Sequence, residues 1–200
     1  MDKKTLDIYN AKASHYTQDW LQQADPEEIH NIVKKYFSKG ALTADIGSGS
    51  GRDSNWLNEN GYPCTGYDAS EGLLQEARNK FPHLTFRFSS LPELKDIGDA
   101  SYKNVLCETV LMHLPKAEHL ASVQNLLRIT KAGGTLSLSW RHPISPDNSR
   151  EKDGRLYEEI NREEIIAFAK SHGAHCVYQN TVTSSSSGKK IDQVIFIKST

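Results

Sequence analysis

The sequence predicts an α/β protein built on a doubly wound, mostly parallel sheet. Three observations carry this expectation. Five short β-rich runs alternate with amphipathic helical segments between residues 41 and 140. A glycine-rich turn joins the first run to the helix after it. Two further β-rich runs end the chain, with so short a link that they must pair as an antiparallel hairpin.

Along the chain, residues 1–40 read as helical. Leu6, Tyr9, Ala13, Tyr16 and Trp20 recur at three- and four-residue steps, and Asp25-Pro26-Glu27-Glu28 is a helix start with proline in the first turn. A second helix carries Ile29, Ile32, Val33, Tyr36 and Phe37 on one face. Ala41–Ile46 is the first strand and Asp53–Asn60 a helix stopped by Gly61. Tyr62–Tyr67 and Leu84–Phe88 are the next strands, with the helix Glu71–Lys80 between them. Tyr102–Cys107 is the fourth strand, Lys116–Thr130 a helix, and Lys131-Ala132-Gly133-Gly134 turns the chain into a fifth strand, Thr135–Trp140. Residues 143–155 are polar and loop-like, and Arg162–Ser171 is helical. Cys176–Thr183 and Ile191–Lys198 form the closing hairpin across a serine-rich connection expected to be flexible. Right-handed crossovers between the first five strands give a parallel sheet, seven strands wide with the hairpin at one edge.

Composition narrows the function classes. Two hundred residues suit one domain. A net charge of −1 gives no positive field that would draw the protein onto phosphate backbones, so nucleic acid is disfavoured as a partner. Cys64, Cys107 and Cys176 are far apart, which indicates neither a disulfide framework nor a zinc site. No histidine grouping has metal-ligand spacing; His172 and His175 flank Gly173 at a helix end, where the helix dipole suffices to explain them. The N-terminus lacks the apolar core of a signal peptide, and no window suits a membrane span, so a cytoplasmic protein is expected.

The chemistry concentrates in Asp45-Ile46-Gly47-Ser48-Gly49-Ser50-Gly51-Arg52. Glycines let backbone approach a ligand closely, and the helix start behind them offers free N–H groups and a positive dipole end. A dinucleotide fingerprint would need glycine at its third position, where Arg52 stands, and this argues against NAD. An acid just before the turn, Asp45, favours a smaller ligand with an ammonium group to pair with it. Asp68, ending the second strand, suits ribose hydroxyls and supports a nucleoside without choosing between cofactors. Structurally, the same acid would serve to cap the next helix.

These segments, with Val110-Leu111-Met112-His113-Leu114-Pro115 and Leu127–Gly134, resemble class I S-adenosylmethionine (SAM)-dependent methyltransferases, a Rossmann-like family. Gly47–Leu57 followed by Gly61-Tyr62 is similar to the tellurite-resistance and thiopurine methyltransferase branch, in which an arginine also follows the glycines. Ala132 replaces the usual proline of the last motif. The resemblance covers residues 9–140 well and the tail by topology alone. It implies one domain over 1–200, with a helical lid over 1–40, a SAM-binding core over 41–140 and a substrate-side loop, helix and hairpin over 141–200. It places Asp45, Gly47, Ser48, Gly49, Gly51 and Arg52 by the methionine end of SAM, Asp68 on the ribose and Ala69 beside adenine. Ser90 and Leu91 follow the third strand where relatives often carry an adenine-reading acid, and Cys107 ends the fourth beside the sulfonium. Tyr9 and Tyr16 would cover the cofactor from the lid, or simply pack an amphipathic helix.

The implied activity is methyl transfer from SAM to a small molecule, leaving S-adenosylhomocysteine. Such a displacement has a good leaving group and depends mainly on positioning. A base is needed only if the acceptor must lose a proton. His113 and His142 are the candidate bases, with Glu108 beside Cys107 a further one. Arg141 suits an acidic substrate group and Trp140 an apolar wall, although Trp140-Arg141-His142-Pro143 also reads as an ordinary strand end. RNA or protein methylation, an NAD-dependent oxidoreductase and a non-catalytic SAM-binding protein are the competing readings.

Overall fold

A computed structural model describes residues 1–142 and 150–200. Pro143, the last member of the Trp140–Pro143 quartet, lies outside the described residues. The chain begins with three helices, α1 (Lys3–Ala11), α2 (Ala13–Gln22) and α3 (Glu27–Tyr36). Then follow β1 (Thr43–Ile46), α4 (Arg52–Glu59), β2 (Cys64–Asp68), α5 (Glu71–Lys80), β3 (Thr85–Phe88) and β4 (Tyr102–Glu108). Two short 3-10 turns lead to α6 (His119–Ile129), β5 (Thr130–Arg141), α7 (Arg162–Ser171), β6 (Ala174–Thr183) and β7 (Lys190–Lys198).

The strands form one seven-stranded sheet in the order β3-β2-β1-β4-β5-β7-β6. The first five are parallel, and β7 runs antiparallel to both β5 and β6. The expected fold class and hairpin are therefore present, with β7 inserted between β5 and β6. Strand order reverses between β1 and β4. That switch point opens a crevice at the carboxyl ends of the strands, where ligands of such sheets bind.

Local chemistry explains the element boundaries. Asp2, Ser70 and Asn161 cap α1, α5 and α7 by accepting from the backbone N–H of Thr5, Leu73 and Glu164. In α3, Glu27 and Glu28 sit in the first turn and Lys34 and Lys35 in the last, matching the helix dipole. The N-terminal helical segment is kinked at Lys12, whose φ of −118° separates α1 from α2. β5 starts earlier than expected, at Thr130, because Lys131–Gly134 continues as strand across a register shift against β4. A Cβ at Gly134 would stand 2.7 Å from the carbonyl oxygens of Lys103 and Lys131, so only glycine fits there.

The principal core spans the sheet and the face covered by α6 and α7, with Leu126, Leu136, Leu138, Trp140 and Phe196 buried in it. A second cluster, including Ile29, Val33, Leu57 and Leu106, fixes α3 and α4 on the other face. Buried Asn104 locks α3's exit to β1, accepting from Ser38 N at 2.9 Å and donating to Ser38 O and Thr43 Oγ1. Among the described residues, no helix is long and apolar enough to cross a membrane.

Candidate active site

The turn after β1 is held from beneath by β2. Gly47 N and Ser48 N both donate to the Tyr67 carbonyl, at 2.7 and 2.9 Å. Gly47 has φ +81°, and a side chain there would overlap Val110, so the segment leaving β4 packs directly on the turn. Gly51 has φ +80° and starts α4; a Cβ there would meet Phe86 Cζ at 2.6 Å. Its constraint is therefore packing beneath the turn. Asp68 closes the arrangement, with Oδ2 accepting from Gly49 N at 2.9 Å and Oδ1 from Ser70 N at 2.8 Å.

Around this turn lies a cavity of about 480 Å³, a usual size for a small-molecule site. Its wall beside the turn is acidic. Asp45, Asp53, Asp68, Glu28 and Glu108 all line it. Burial, reinforced by the charge of Asp53, pushes the Asp45 carboxyl up to about 7, although Ser54 Oγ donates to Oδ2 at 2.6 Å. Burial also raises Glu108 to about 7, against hydrogen bonds from Ser139 and Ser137. Asp68 is likewise raised by burial, opposed by its backbone donors. These carboxyls sit where their ionised forms lack a cation, which favours a positively charged ligand. Arg52 does not fill that role. Its Nε is paired with Asp53 Oδ1 at 2.8 Å, and Nη1 reaches the Trp20 carbonyl at 3.5 Å, linking turn to α2.

Another part of the lining is cationic and aromatic. Tyr9 from α1 reaches His113 Nε2 at 3.0 Å and accepts from Arg155 Nη1 at 3.0 Å. His113 Nδ1 lies 2.6 Å from the Leu156 carbonyl, which can only accept, so Nδ1 carries the proton and Nε2 accepts from Tyr9. Burial pushes the imidazole down to about 4, keeping it neutral. Arg155 also pairs with Asp153 at 2.8 Å, and Asp153 accepts from Tyr16 Oη at 2.9 Å. Arg141 and Arg155 both lie against the Tyr157 ring, at 4.7 and 5.5 Å. Arg141 is paired on its outer side with Glu151 at 2.5 Å. Further bonds fasten the N-terminal helical segment: Asn10 Oδ1 accepts from Ser70 Oγ and Gly72 N at the start of α5, and Asp2 pairs with Arg150.

Of the expected site residues, the cavity is lined by Tyr9, Asp45, Gly47, Ser48, Gly49, Arg52, Asp68, His113 and Arg141. Tyr16, Gly51, Ala69, Ser90, Leu91, Cys107, Trp140 and His142 do not line it. Cys107 and Trp140 are side chains of the sheet's buried face, so the apolar wall expected of Trp140 is instead core. Tyr16 stacks on Trp20 behind Tyr9. His142 is half exposed, with Nδ1 2.9 Å from Asp192 Oδ2. His113 lines the cavity with both ring nitrogens bonded, and His142 lies off the cavity wall.

The pattern did not reveal Trp20, Glu28, Thr109, Arg155, Tyr157 or the loop Ser184–Lys189, all wall-forming save Ser185 and Gly188. That loop is docked, contrary to the expected flexibility. Ser185 Oγ donates toward Glu28 Oε2 at 2.6 Å and the Asp25 carbonyl at 2.7 Å, and accepts from Glu27 N at 3.0 Å. The available signal was Glu28 itself, which reads as an ordinary first-turn acid. Among the described residues no group of histidine, cysteine and acidic side chains is arranged to hold a metal.

A sheet of this order, with an acid-flanked glycine turn at its switch point, is the fold this chain shares with solved SAM-dependent methyltransferases. Residues 44–138 match the family model described as a methyltransferase domain. The chain is 28% identical over 153 residues to a ubiquinone biosynthesis O-methyltransferase of Coxiella burnetii, covering 70% of this chain and 62% of that protein. It is 30% identical over 129 residues to a trans-aconitate 2-methyltransferase of Sinorhizobium medicae, covering 62% and 46%. The chain thus spans less than two thirds of these relatives' length. Among solved structures, the 1,6-didemethyltoxoflavin-N1-methyltransferase of Burkholderia thailandensis, bound to 1,6-didemethyltoxoflavin and S-adenosylhomocysteine, superposes with a TM-score of 0.79 at 18% identity. That likeness covers 98% of this chain and 88% of the other.

Proposed function

We propose that this protein transfers a methyl group from SAM to a small-molecule acceptor. The observation that carries the proposal is the charge division of one cavity: buried carboxyls beside the glycine turn, arginines and tyrosine in another part of the lining. SAM is a cation at sulfur and carries an ammonium group, so the acidic wall fits it. A dinucleotide's pyrophosphate would meet Asp45, Asp53, Asp68 and Glu108 as like charges, which disfavours NAD. Asp45 would hold the ammonium end, Gly47–Gly49 the backbone cradle, and Asp68 the ribose hydroxyls while bracing the turn. When bound, the cofactor supplies an electrophilic methyl with a neutral leaving group. The chain's own work is to bind, orient and exclude water.

On the acceptor side, Arg141, Tyr157 and Lys189 would receive an anionic group, and His113 would act as a positioning residue that fixes the Tyr9 hydroxyl. The 1–40 lid and the Ser184–Lys189 loop both wall the cavity, which supports a small acceptor over RNA or protein. The placement in the tellurite-resistance and thiopurine branch, the single-domain extent 1–200 and a cytoplasmic site of action belong to the same proposal; the three free thiols support the last.

Calorimetry with SAM, S-adenosylhomocysteine and NAD tests the cofactor. Binding of the first two without NAD is expected; binding of NAD alone would refute the proposal. A metabolite screen with methyl-labelled SAM then identifies the acceptor, expected to be small and anionic.

A further inference from the structure

We propose that Glu108 is the charge partner of the transferring centre: ionised while the cofactor's sulfonium is present, it takes the acceptor's proton once that positive charge is lost. The inference rests on the SAM reading above and deepens it.

Glu108 ends β4, opposite Ser139 of β5, and the chain leaving it packs through Val110 on Gly47 of the turn. Ser137 and Ser139 of β5 both support the carboxyl. Ser137 Oγ donates to Oε1 at 3.1 Å. Oε2 is shut off from solvent and has no hydrogen-bond partner. Glu108 lines the cavity, and a buried carboxylate there is costly to ionise unless a positive charge stands near it.

The groups around it sharpen this. Asp53 from α4 and Glu28 from α3 share the cavity and oppose its ionisation, and Asp45 from β1 and Asp68 from β2 line the same cavity. Among the cations there, Arg52 is paired with Asp53, Arg141 with Glu151 and Arg155 with Asp153. Lys189 also lines the cavity, and among the described residues no cation lies within ion-pair distance of Glu108. Without a ligand, Glu108 is therefore about half protonated near pH 7. A sulfonium in the cavity supplies the missing positive charge.

The charge accounting closes. The acceptor's nucleophilic atom bonds to the methyl carbon as the carbon–sulfur bond breaks, and that electron pair stays on sulfur. The proton displaced from the nucleophile passes to the Glu108 carboxylate, which regains its proton affinity as the positive charge disappears. The acceptor's reacting atom must then bear hydrogen, which specifies a hydroxyl or an amine. His113 has both ring nitrogens already bonded, and His142 does not line the cavity.

The test is calorimetry at pH 7 in two buffers of different ionisation heat, which counts protons released on binding. SAM and S-adenosylhomocysteine share every group except the sulfonium, so a difference in proton count reports carboxyls that feel that charge, and the Glu108→Gln variant separates Glu108 from Asp45. In the wild type, SAM is expected to release up to about half a proton more than S-adenosylhomocysteine, the protonated fraction of a carboxyl titrating near 7. In Glu108→Gln that excess disappears, and preference for SAM over S-adenosylhomocysteine falls roughly tenfold, with binding of the latter retained. Equal proton counts for the two ligands in the wild type would overturn the role of Glu108, even if the variant could not be prepared. Persistence of the excess in Glu108→Gln would overturn it too. Failure of both ligands to bind would overturn the SAM reading itself.

Discussion

Replacing Asp68 with asparagine separates two duties that the structure loads onto one carboxylate. Oδ2 accepts from Gly49 N and Oδ1 from Ser70 N, and both oxygens are buried. Asparagine keeps one acceptor and turns an NH₂ toward the other N–H. One backbone donor then loses its partner in a buried site, at a cost of about 1–3 kcal/mol. The Ser70 bond sits inside a helix cap and the Gly49 bond spans the crevice, so the amide oxygen keeps Ser70 and releases Gly49. Denaturant unfolding of the ligand-free protein should therefore show a loss of about 1–3 kcal/mol with an unchanged m-value. Calorimetry should show S-adenosylhomocysteine binding weakened by a further factor of roughly ten or more, from the loosened turn and the lost charge on the ribose side. If ligand-free stability is unchanged, the bracing role is wrong. If stability falls while affinity holds, the ribose placement is wrong.

Three further outcomes follow from the same geometry. Asp45 and Glu108 are both raised to about 7 in the folded chain, above their ordinary values of 3.8 and 4.5. Because the folded form holds these protons longer than the unfolded chain, ligand-free stability should fall as pH rises from about 4 to about 7. Unfolding at pH 5 and 8 checks the sign, and a double Asp45→Asn, Glu108→Gln variant should flatten the slope. Tyr9→Phe leaves His113 Nε2 and Arg155 Nη1 without a shared hydroxyl, so stability should drop by about 1–2 kcal/mol, measured by thermal unfolding. Ser185→Ala removes the hydroxyl that ties the hairpin loop to Glu28 and Asp25. Amide exchange in 184–189 should speed up while exchange in β5 and β7 stays slow, and equal acceleration in both would refute local undocking.

Much of the fold was legible because its signals are local. Hydrophobic alternation, glycine stops and cap residues fix strands and helices within a few residues, as for Arg162–Ser171 and Ser70. β5 was misjudged at its start because Lys131–Gly134 reads as a turn by composition, yet pairing with β4 draws it into the strand. The cofactor end of the site was legible for the same reason. Asp45, Gly47, Gly49 and Asp68 lie on two adjacent strand ends whose geometry is fixed by the crossover between them.

The acceptor end was not legible. Arg155 with Tyr157 and the Ser184–Lys189 loop come from two distant segments, and nothing in either marks it as a wall. His113 shows the limit most clearly. Its sequence position suggested a base, but both ring nitrogens are taken by Tyr9 and Leu156, partners 104 and 43 residues away. Trp140 likewise faces the core, since strand alternation assigns a side but not what lies on it.

By itself, then, the sequence determined the layered architecture and the cofactor-facing turn, because periodicity and backbone freedom are written into neighbouring residues. Only the tertiary structure decided which titratable groups are buried, which are already paired, and which remain unpaired at the cavity. Burial and pairing depend on contacts across the whole chain, and they set the charge of Asp45, Glu108 and His113.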